Sequence, residues 1–410
     1  YEFHDLNKVP KLAITVGISS IMKAKKIVLL AWGNKAEIVA KAIEGDVTEQ
    51  IPASVLQNHD DCTFIVDEYA AAELTRNKAP WLTGTNEWSP QMIKKAVIEL
   101  ALKLDKTVLS LTADDYKENS LSDLLVLKES VYDINLHVFY MLRDSITGWP
   151  GGKPNAVIPA HPERSAPSSK RVMIFSPHPD DDIISMGGTF MRLHNQGHEV
   201  HVGYQTSGNI AVTDEFVTRF LDFAVGFEDM FGIDNKKSNE ILTEARSFLG
   251  GKKAGELDTN EIRAIKGLIR RCEAKATCRY VGIAEDNYHF LNLPFYETGA
   301  IDKKPMGEED IAITMELLRK VKPHQIYCAG DLADPHGTHK VCLEVIFESM
   351  RRLKTAGDEW VKDCWVWLYK GAWQEWDISE IEMAVPMSPD QVMKKRFGIF
   401  IHQSQKDSVP

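Results

Sequence analysis

The sequence predicts an α/β protein of two modules, each built on a parallel sheet with flanking helices, and three observations carry that prediction. Short apolar runs of strand length alternate with segments of helical period, the alternation that winds a chain into parallel strands and covering helices. A stretch from Gly148 to Lys170 carries prolines at 150, 154, 159, 162 and 167 and breaks that alternation, because proline has no N–H and is excluded from helix interiors and central strands. The 410 residues also exceed one core; at roughly 150 residues per domain they allow about two to three. The expected organisation is a first module over 1–147, a linker over 148–170 and a second module over 171–410.

In the first module, KIVLLAW (Lys26 to Trp32) reads as a strand. The turn Gly33-Asn34 then leads into a helix with Ala36, Val39, Ala40 and Ile43 on one face, ended by Gly45. CTFIVDE (Cys62 to Glu68) is a second strand, and YAAAELTR (Tyr69 to Arg76) is composed of helix formers. Pro80 and Gly84 interrupt the chain before a helix over Pro90 to Leu104. The second module opens with the strand Val172 to Ser176, the loop HPDDD, a glycine pair and the helical stretch Phe190 to Gly197. A strand begins at His201, helices follow over Phe216 to Phe231 and Ile262 to Cys278, and His289 to Leu293 is a short strand. A helix over Asp310 to Lys320 stops before Pro323, where the residue preceding proline is turned away from helix. The strand Gln325 to Ala329, a loop to Gly337, a helix over Lys340 to Leu353, a strand from Val366 and a helix over Pro389 to Ile401 complete the pattern.

Composition narrows the function classes. With 44% hydrophobic and 26% charged residues the chain is ordinary globular protein, not a disordered or collagenous one. Its net charge of −11 offers no general attraction to nucleic acid or anionic lipid, which leaves room only for a local basic pocket taking a small anion. Six dispersed cysteines without a CxxC pair predict free thiols in a reducing compartment. No apolar run approaches 18 residues and no secretory signal is present, so a cytoplasmic location with no membrane partner is the expectation. The chain starts at Tyr1 without methionine inside a running pattern, from which we expect a processing or cloning boundary there.

The strongest local signal is the pair HPDDD (His178 to Asp182) and DPHGTH (Asp334 to His339), each following an apolar strand, where parallel sheets gather ligand residues. Two imidazoles and one carboxylate leave coordination positions open for water and substrate, as in catalytic zinc or non-haem iron sites. His178, Asp181 and His339 can supply that set, leaving Asp180 and His336 for proton transfer. On spacing alone the alternative stays open that HPDD is an acidic turn and that His336 caps the preceding loop.

Ser176-Pro-His-Pro-Asp-Asp-Asp182 followed by Gly187-Gly188-Thr189 resembles the signature of the PIG-L de-N-acetylase family, which hydrolyses the N-acetyl group of N-acetylglucosaminyl conjugates. Thr206-Ser-Gly208, Arg270-Arg-Cys-Glu-Ala274, Phe290-Leu-Asn-Leu-Pro294, Asp334 to His339 and Lys395-Arg-Phe with His402-Gln-Ser-Gln405 match in order, over about residues 170 to 410. The resemblance implies Rossmann-like sheets, a Zn2+ ion (Fe2+ or another divalent ion being the alternatives) on His178, Asp181 and His339, and Asp180 as general base. It implies His336 as the group that stabilises the oxyanion or protonates the leaving amine, and Arg270 as an arginine that reaches the sugar or its appended group. Asp182 stands where many relatives carry glutamate, and DPHGTH where many have HPDH.

Ala13 to Ser20, Met22-Lys-Ala24, Leu29 to Ala36, Glu44-Gly45 and Leu56 to His59 resemble the C-terminal third of glucosamine-6-phosphate deaminase, in which the turn carrying Lys35 holds the substrate phosphate. A lysine and helix-start amides converging on an anion give that role a physical basis; the plain alternative is a turn with a solvated lysine. The family's catalytic residues lie upstream of this stretch, so the first module is expected to be truncated, either because the native protein is longer and has been cut or because this part is a remnant with a structural role. Trp81 to Pro154 resembles a connector between two such modules in fused bacterial proteins. The resulting expectation is a metal-dependent N-deacetylase of an N-acetylglucosamine derivative, its substrate an amino sugar or sugar phosphate, with a homo-oligomer left open. The alternatives are a glucosamine-6-phosphate deaminase or isomerase in the uncut protein, or a non-catalytic sensor of amino-sugar phosphates.

Overall fold

Among the described residues of the computed structural model, seven strands form two sheets in which every pairing is parallel. Those residues are 11–406 without 13, 34, 85, 128–129, 254–255, 300–302, 333–336 and 372–373. The chain divides into two units, 1–147 with 376–384, and 148–375 with 385–410. Helices flank both sheets, which is the α/β class that the alternating pattern predicts.

In unit 1, β1 (Ile27–Ala31) pairs with β2 (Cys62–Val66) in the register Ile27 to Cys62 through Ala31 to Val66. Helix α1 (Ala36–Ile43) lays Val39 beside Ala31 and Ala70 in a small core. The predicted helix over Tyr69 to Arg76 is corrected: the chain turns there, and only Thr75–Lys78 is helical. The Asp67 carboxylate accepts from Ala70 N at 2.8 Å and the Asn77 side chain from its end of the turn donates to Ala71 O at 2.9 Å, so local side-chain bonds win over propensity. Helices α2 (Pro90–Leu104) and α3 (Val131–Ser145), capped by Ser89 and Ser130, enclose a second core of Ile93, Val97, Leu100, Leu124, Ile134 and Val138. Residues 376–384 return to this unit, with Lys94 Nζ donating to Ile381 O at 3.0 Å and Ala384 N to Ser145 O at 2.9 Å.

Unit 2 is built on β3 (Arg171–Ser176), β4 (Glu199–Tyr204), β5 (Tyr288–Phe290), β6 (Gln325–Ala329) and β7 (Trp365–Tyr369), in the order β5-β4-β3-β6-β7. The central strands β3 and β6 are almost wholly buried, as strands covered on both faces must be, which is why their sequences are continuous apolar runs. Since β4 lies on one side of β3 and β6 on the other, the chain leaves their carboxyl ends in opposite directions and opens a crevice there.

The helix expected over Phe190 to Gly197 begins nine residues earlier: α4 spans Asp181–Asn195, with Asp180 at its N-cap and a kink at Met186. Carboxylates at a helix start complement its dipole, so the acidic loop is part of the helix entry. A Cβ at Gly188 in α4 would run into the side chain of Met387, just ahead of α10. The remaining helices are α5 (Asp214–Phe231), α6 (Lys236–Gly251), which the sequence pattern left unassigned, α7 (Asn260–Val281), α8 (Glu308–Val321), α9 (Thr338–Thr355) and α10 (Pro389–Phe400). All six cysteines are free. No helix among the described residues is long and apolar enough to cross a membrane.

Leu317, Leu318, Leu343, Ile346 and Leu353 of α8 and α9 join Met173, Phe175 and Ile326 of the sheet in one core. Leu318 is fully buried there. Leu318→Ala is expected to destabilise unit 2 by about 2–5 kcal/mol, whereas Val392→Ala at an exposed position changes stability by no more than about 0.5 kcal/mol. Chemical denaturation of both variants reads the difference.

Candidate metal centre

The crevice at the carboxyl ends of β3 and β6 holds the three donors that the sequence singles out. His178 follows β3, Asp181 opens α4 and His339 stands in the first turn of α9. One ligand atom from each lies within 4.8 Å of the others. Asp181 Oδ2 is 3.2 Å from His178 Nδ1 and 3.4 Å from His339 Nε2, and the two rings are 5.3 Å apart between centroids. The His178 backbone N–H donates to the same Oδ2 at 2.8 Å and fixes the carboxylate against the loop.

Electrostatics explain why the cluster can exist in a buried place. Burial by itself pushes the Asp181 carboxyl up, but the imidazoles of His339 and His178 outweigh it and hold the group well below the usual carboxylate range. Burial likewise opposes a charged His339, yet Asp181 on one side and Asp331 on the other raise it to about 11. The set is therefore arranged around a positive charge, which a proton on His339 or a cation between the donors can supply. The donor chemistry fits a divalent ion: two imidazoles and one carboxylate, in a crevice between two loops.

Asp331 is the residue that sequence reasoning missed. Its Oδ1 lies 2.6 Å from His339 Nδ1, so it fixes which nitrogen of that ring faces Asp181. The signal was present, since Asp331 stands two residues beyond β6, in the same strand-end context as HPDDD beyond β3. Asp182 is also buried, with Tyr204 OH donating to it at 3.1 Å and its own N–H bonded to Ser176 Oγ. Burial, with the charges of Asp180 and Asp181, pushes its carboxyl up to about 7 against the hydrogen bonds from Tyr204 and Ser176.

Asp180 is brought to the same place and is tied to Arg270, whose Nη2 donates to its Oδ1 at 2.8 Å; Arg270 is 1% exposed. Gly208 permits this packing: it adopts φ 64°, and a Cβ there would come within 2.9 Å of Pro179 and 3.2 Å of the Arg270 guanidinium. Helix α7, which carries Arg270, is held in turn by the C-terminal motif. Ser404 N donates to Glu273 at 2.7 Å, and the His402 ring bonds Thr277 Oγ1 at 2.9 Å. The Tyr296 ring meets His178 edge-on at 6.0 Å. His336 lies outside the described residues. Lys35 belongs to unit 1, exposed at the N-cap of α1, with its Nζ donating to Trp32 O at 3.2 Å. The Gly33 N–H of that turn donates to the Asp67 carboxylate at 3.0 Å.

Residues 173–350 match the family model PIG-L, described as GlcNAc-PI de-N-acetylase. Over 410 residues the chain is 50% identical to a protein of Bacteroides thetaiotaomicron named as glucosamine-6-phosphate deaminase-like, covering all of this chain and 62% of that one. Over 73 residues, 18% of this chain, it is 55% identical to a glucosamine-6-phosphate deaminase of Streptococcus agalactiae, covering 31% of it. The chain thus spans less than two thirds of the length of these curated relatives. Among solved structures it is similar to the N,N'-diacetylchitobiose deacetylase of Pyrococcus horikoshii, at 19% identity and a TM-score of 0.35 over 58% of this chain and 72% of that one.

If Asp331 orients His339, Asp331→Asn lowers the affinity for a divalent ion about 10- to 100-fold, and Asp181→Ala removes measurable binding while the far-ultraviolet circular dichroism is kept. Titration with zinc against a chelating dye distinguishes the two variants; an Asp331→Asn protein that binds as the parent does contradicts the assignment.

Proposed function

We propose that unit 2 hydrolyses the N-acetyl group of an N-acetylglucosamine derivative, with a divalent ion held by His178, Asp181 and His339. The observation that carries this reading is the convergence of the three donors at the crevice beside a second carboxylate, Asp180, which is not one of the donors. The PIG-L match over residues 173–350 supports the reaction class. Zinc suits a set of two imidazoles and one carboxylate, and Fe2+ or another divalent ion suits it as well.

A divalent ion on these donors supplies Lewis acidity, which polarises an amide carbonyl and acidifies water. The remaining steps belong to the chain. Asp180, adjacent to a ligand in sequence, accepts the proton of the attacking water. Arg270 holds one oxygen of that carboxylate at 2.8 Å and leaves the other for the proton. The substrate role implied for Arg270 is then confined to donors other than the Nη2 engaged by Asp180. His336 is assigned from the sequence to the oxyanion and the leaving amine.

For unit 1 the proposal is the C-terminal part of a deaminase-like α/β module, with Lys35 as its phosphate ligand. The names of the relatives support it. So does the sheet, since Val28, Leu30 and Ile65 expose about half or more of their surface on strands of a class normally covered on both faces. Deamination in the longer protein, or sensing of an amino-sugar phosphate, is the corresponding second reading. A cytoplasmic location belongs to the same proposal and is supported by the six free cysteines.

Asp180→Asn tests the mechanism. Metal content is expected to persist while acetate release falls about 10²- to 10⁴-fold, measured on whichever of N-acetylglucosamine, its 6-phosphate or its O-linked conjugates the parent cleaves. Because the substitution also removes the charge paired with buried Arg270, the variant is expected to melt earlier; turnover is therefore compared well below its melting temperature. Near-parent kcat in a metal-loaded variant would sink Asp180 as the base.

A further inference from the structure

A second cavity, of about 490 Å³, opens at the carboxyl ends of β4 and β5, and no role above accounts for it. One wall is a single face of α7, where Arg263, Gly267 and Arg271 recur at every fourth residue. The opposite wall is the loop after β4 with Ser207 and the segment after β5 with Asn292 and Glu297. Two neighbours in sequence connect this cavity to the metal centre: Arg270, which holds Asp180, precedes Arg271, and Tyr296, which meets the His178 ring, precedes Glu297.

The charges lining the cavity do not cancel. Arg271 lies over the Phe290 ring, 4.7 Å from its centroid, and Arg263 donates to the Thr298 carbonyl and the Asn260 side-chain oxygen. Neither guanidinium has a carboxylate within 4 Å among the described residues. Glu297 is the one acid among the described residues of the lining, and its oxygens already accept from Ser207 N at 3.0 Å, Ser207 Oγ at 2.9 Å and Asn209 Nδ2 at 3.1 Å. Arg271, which no acceptor engages among the described residues, therefore presents its whole fork to the cavity, and Arg263, about 12 Å away along the helix axis, keeps its remaining N–H groups, with Gly267 between them leaving the floor open. Such donors match a phosphate, which a guanidinium fork binds in bidentate fashion. The exposed amide of Asn292 and the Ser207 hydroxyl suit sugar hydroxyls.

We propose that this cavity binds the phosphomonoester of a phosphorylated N-acetylhexosamine, so that Arg263 and Arg271 select a sugar phosphate over the neutral sugar. The proposal rests on the deacetylase reading for the identity of the sugar, but the site itself is read by binding alone. Calorimetry on the full chain with N-acetylglucosamine 6-phosphate, N-acetylglucosamine and inorganic phosphate separates the sources of affinity. The 6-phosphate is expected to bind at least 10-fold more tightly than either of the others. Arg271→Gln and Arg263→Gln are expected to bring it close to the neutral sugar. Ala264→Glu, which adds a like charge at an exposed lining position without touching the core, is expected to act in the same direction. In a Lys35→Ala background, which removes the phosphate ligand proposed for unit 1, the loss caused by the two arginine variants is expected to persist. Equal binding of both sugars, inorganic phosphate binding as tightly as its sugar ester, or loss through Lys35→Ala with no effect of the arginine variants overturns the proposal. A chain that shows these binding differences but releases no acetate from any substrate keeps the site and loses the deacetylase reading.

Discussion

A buried carboxylate between two imidazoles is the interaction on which the rest of unit 2 depends. Asp181 is 4% exposed, and in such surroundings an isolated negative charge is not tolerated. His178 and His339 offset it, and Asp331 behind His339 sets the direction of that ring. Four ionisable groups on three chain segments thus require a positive charge at one place. A divalent ion held there, as proposed, would displace the proton on His339, so its binding would be linked to proton release and strengthen as pH rises.

The fold supplies these groups by simple means. A strand order that reverses at β3 and β6 opens the crevice, the HPDDD loop enters α4 with its carboxylates at the favourable end of the helix dipole, and α9 presents His339 in its first turn. Asp180 depends on a longer chain of support. The HQSQ segment binds Glu273 and Thr277 of α7, α7 buries Arg270, and Arg270 grips Asp180. The C-terminal motif thus contributes to the centre through α7.

The sequence made the strands of unit 2 legible because buried parallel strands are uninterrupted apolar runs, and it made His178, Asp181 and His339 legible because each follows such a run. Its failures have identifiable causes. The start of α4 was hidden because acidic residues and paired glycines read as loop, whereas here the acids favour the helix entry and Gly188 admits Met387. The turn over residues 69–74 was hidden because the Asp67 carboxylate and the Asn77 amide outweigh a run of helix formers. Asp331 and the pairing of Arg270 with Asp180 join residues 8 and 90 positions apart from their partners, and no periodicity reports such contacts. The return of 376–384 to unit 1 is likewise a matter of backbone and lysine bonds to Ser145, Thr147 and Lys94.

The central claim is that one divalent ion sits on His178, Asp181 and His339. X-ray absorption at the zinc edge of protein loaded with one equivalent of Zn2+, with anomalous diffraction from crystals of the same sample, tests it most directly. The account predicts two imidazole nitrogens and a carboxylate oxygen at about 2.0–2.2 Å, with the remaining positions filled by water, and an anomalous peak between those three residues. A sulfur-containing shell, a peak elsewhere in the chain, or no ordered zinc at full loading would contradict it.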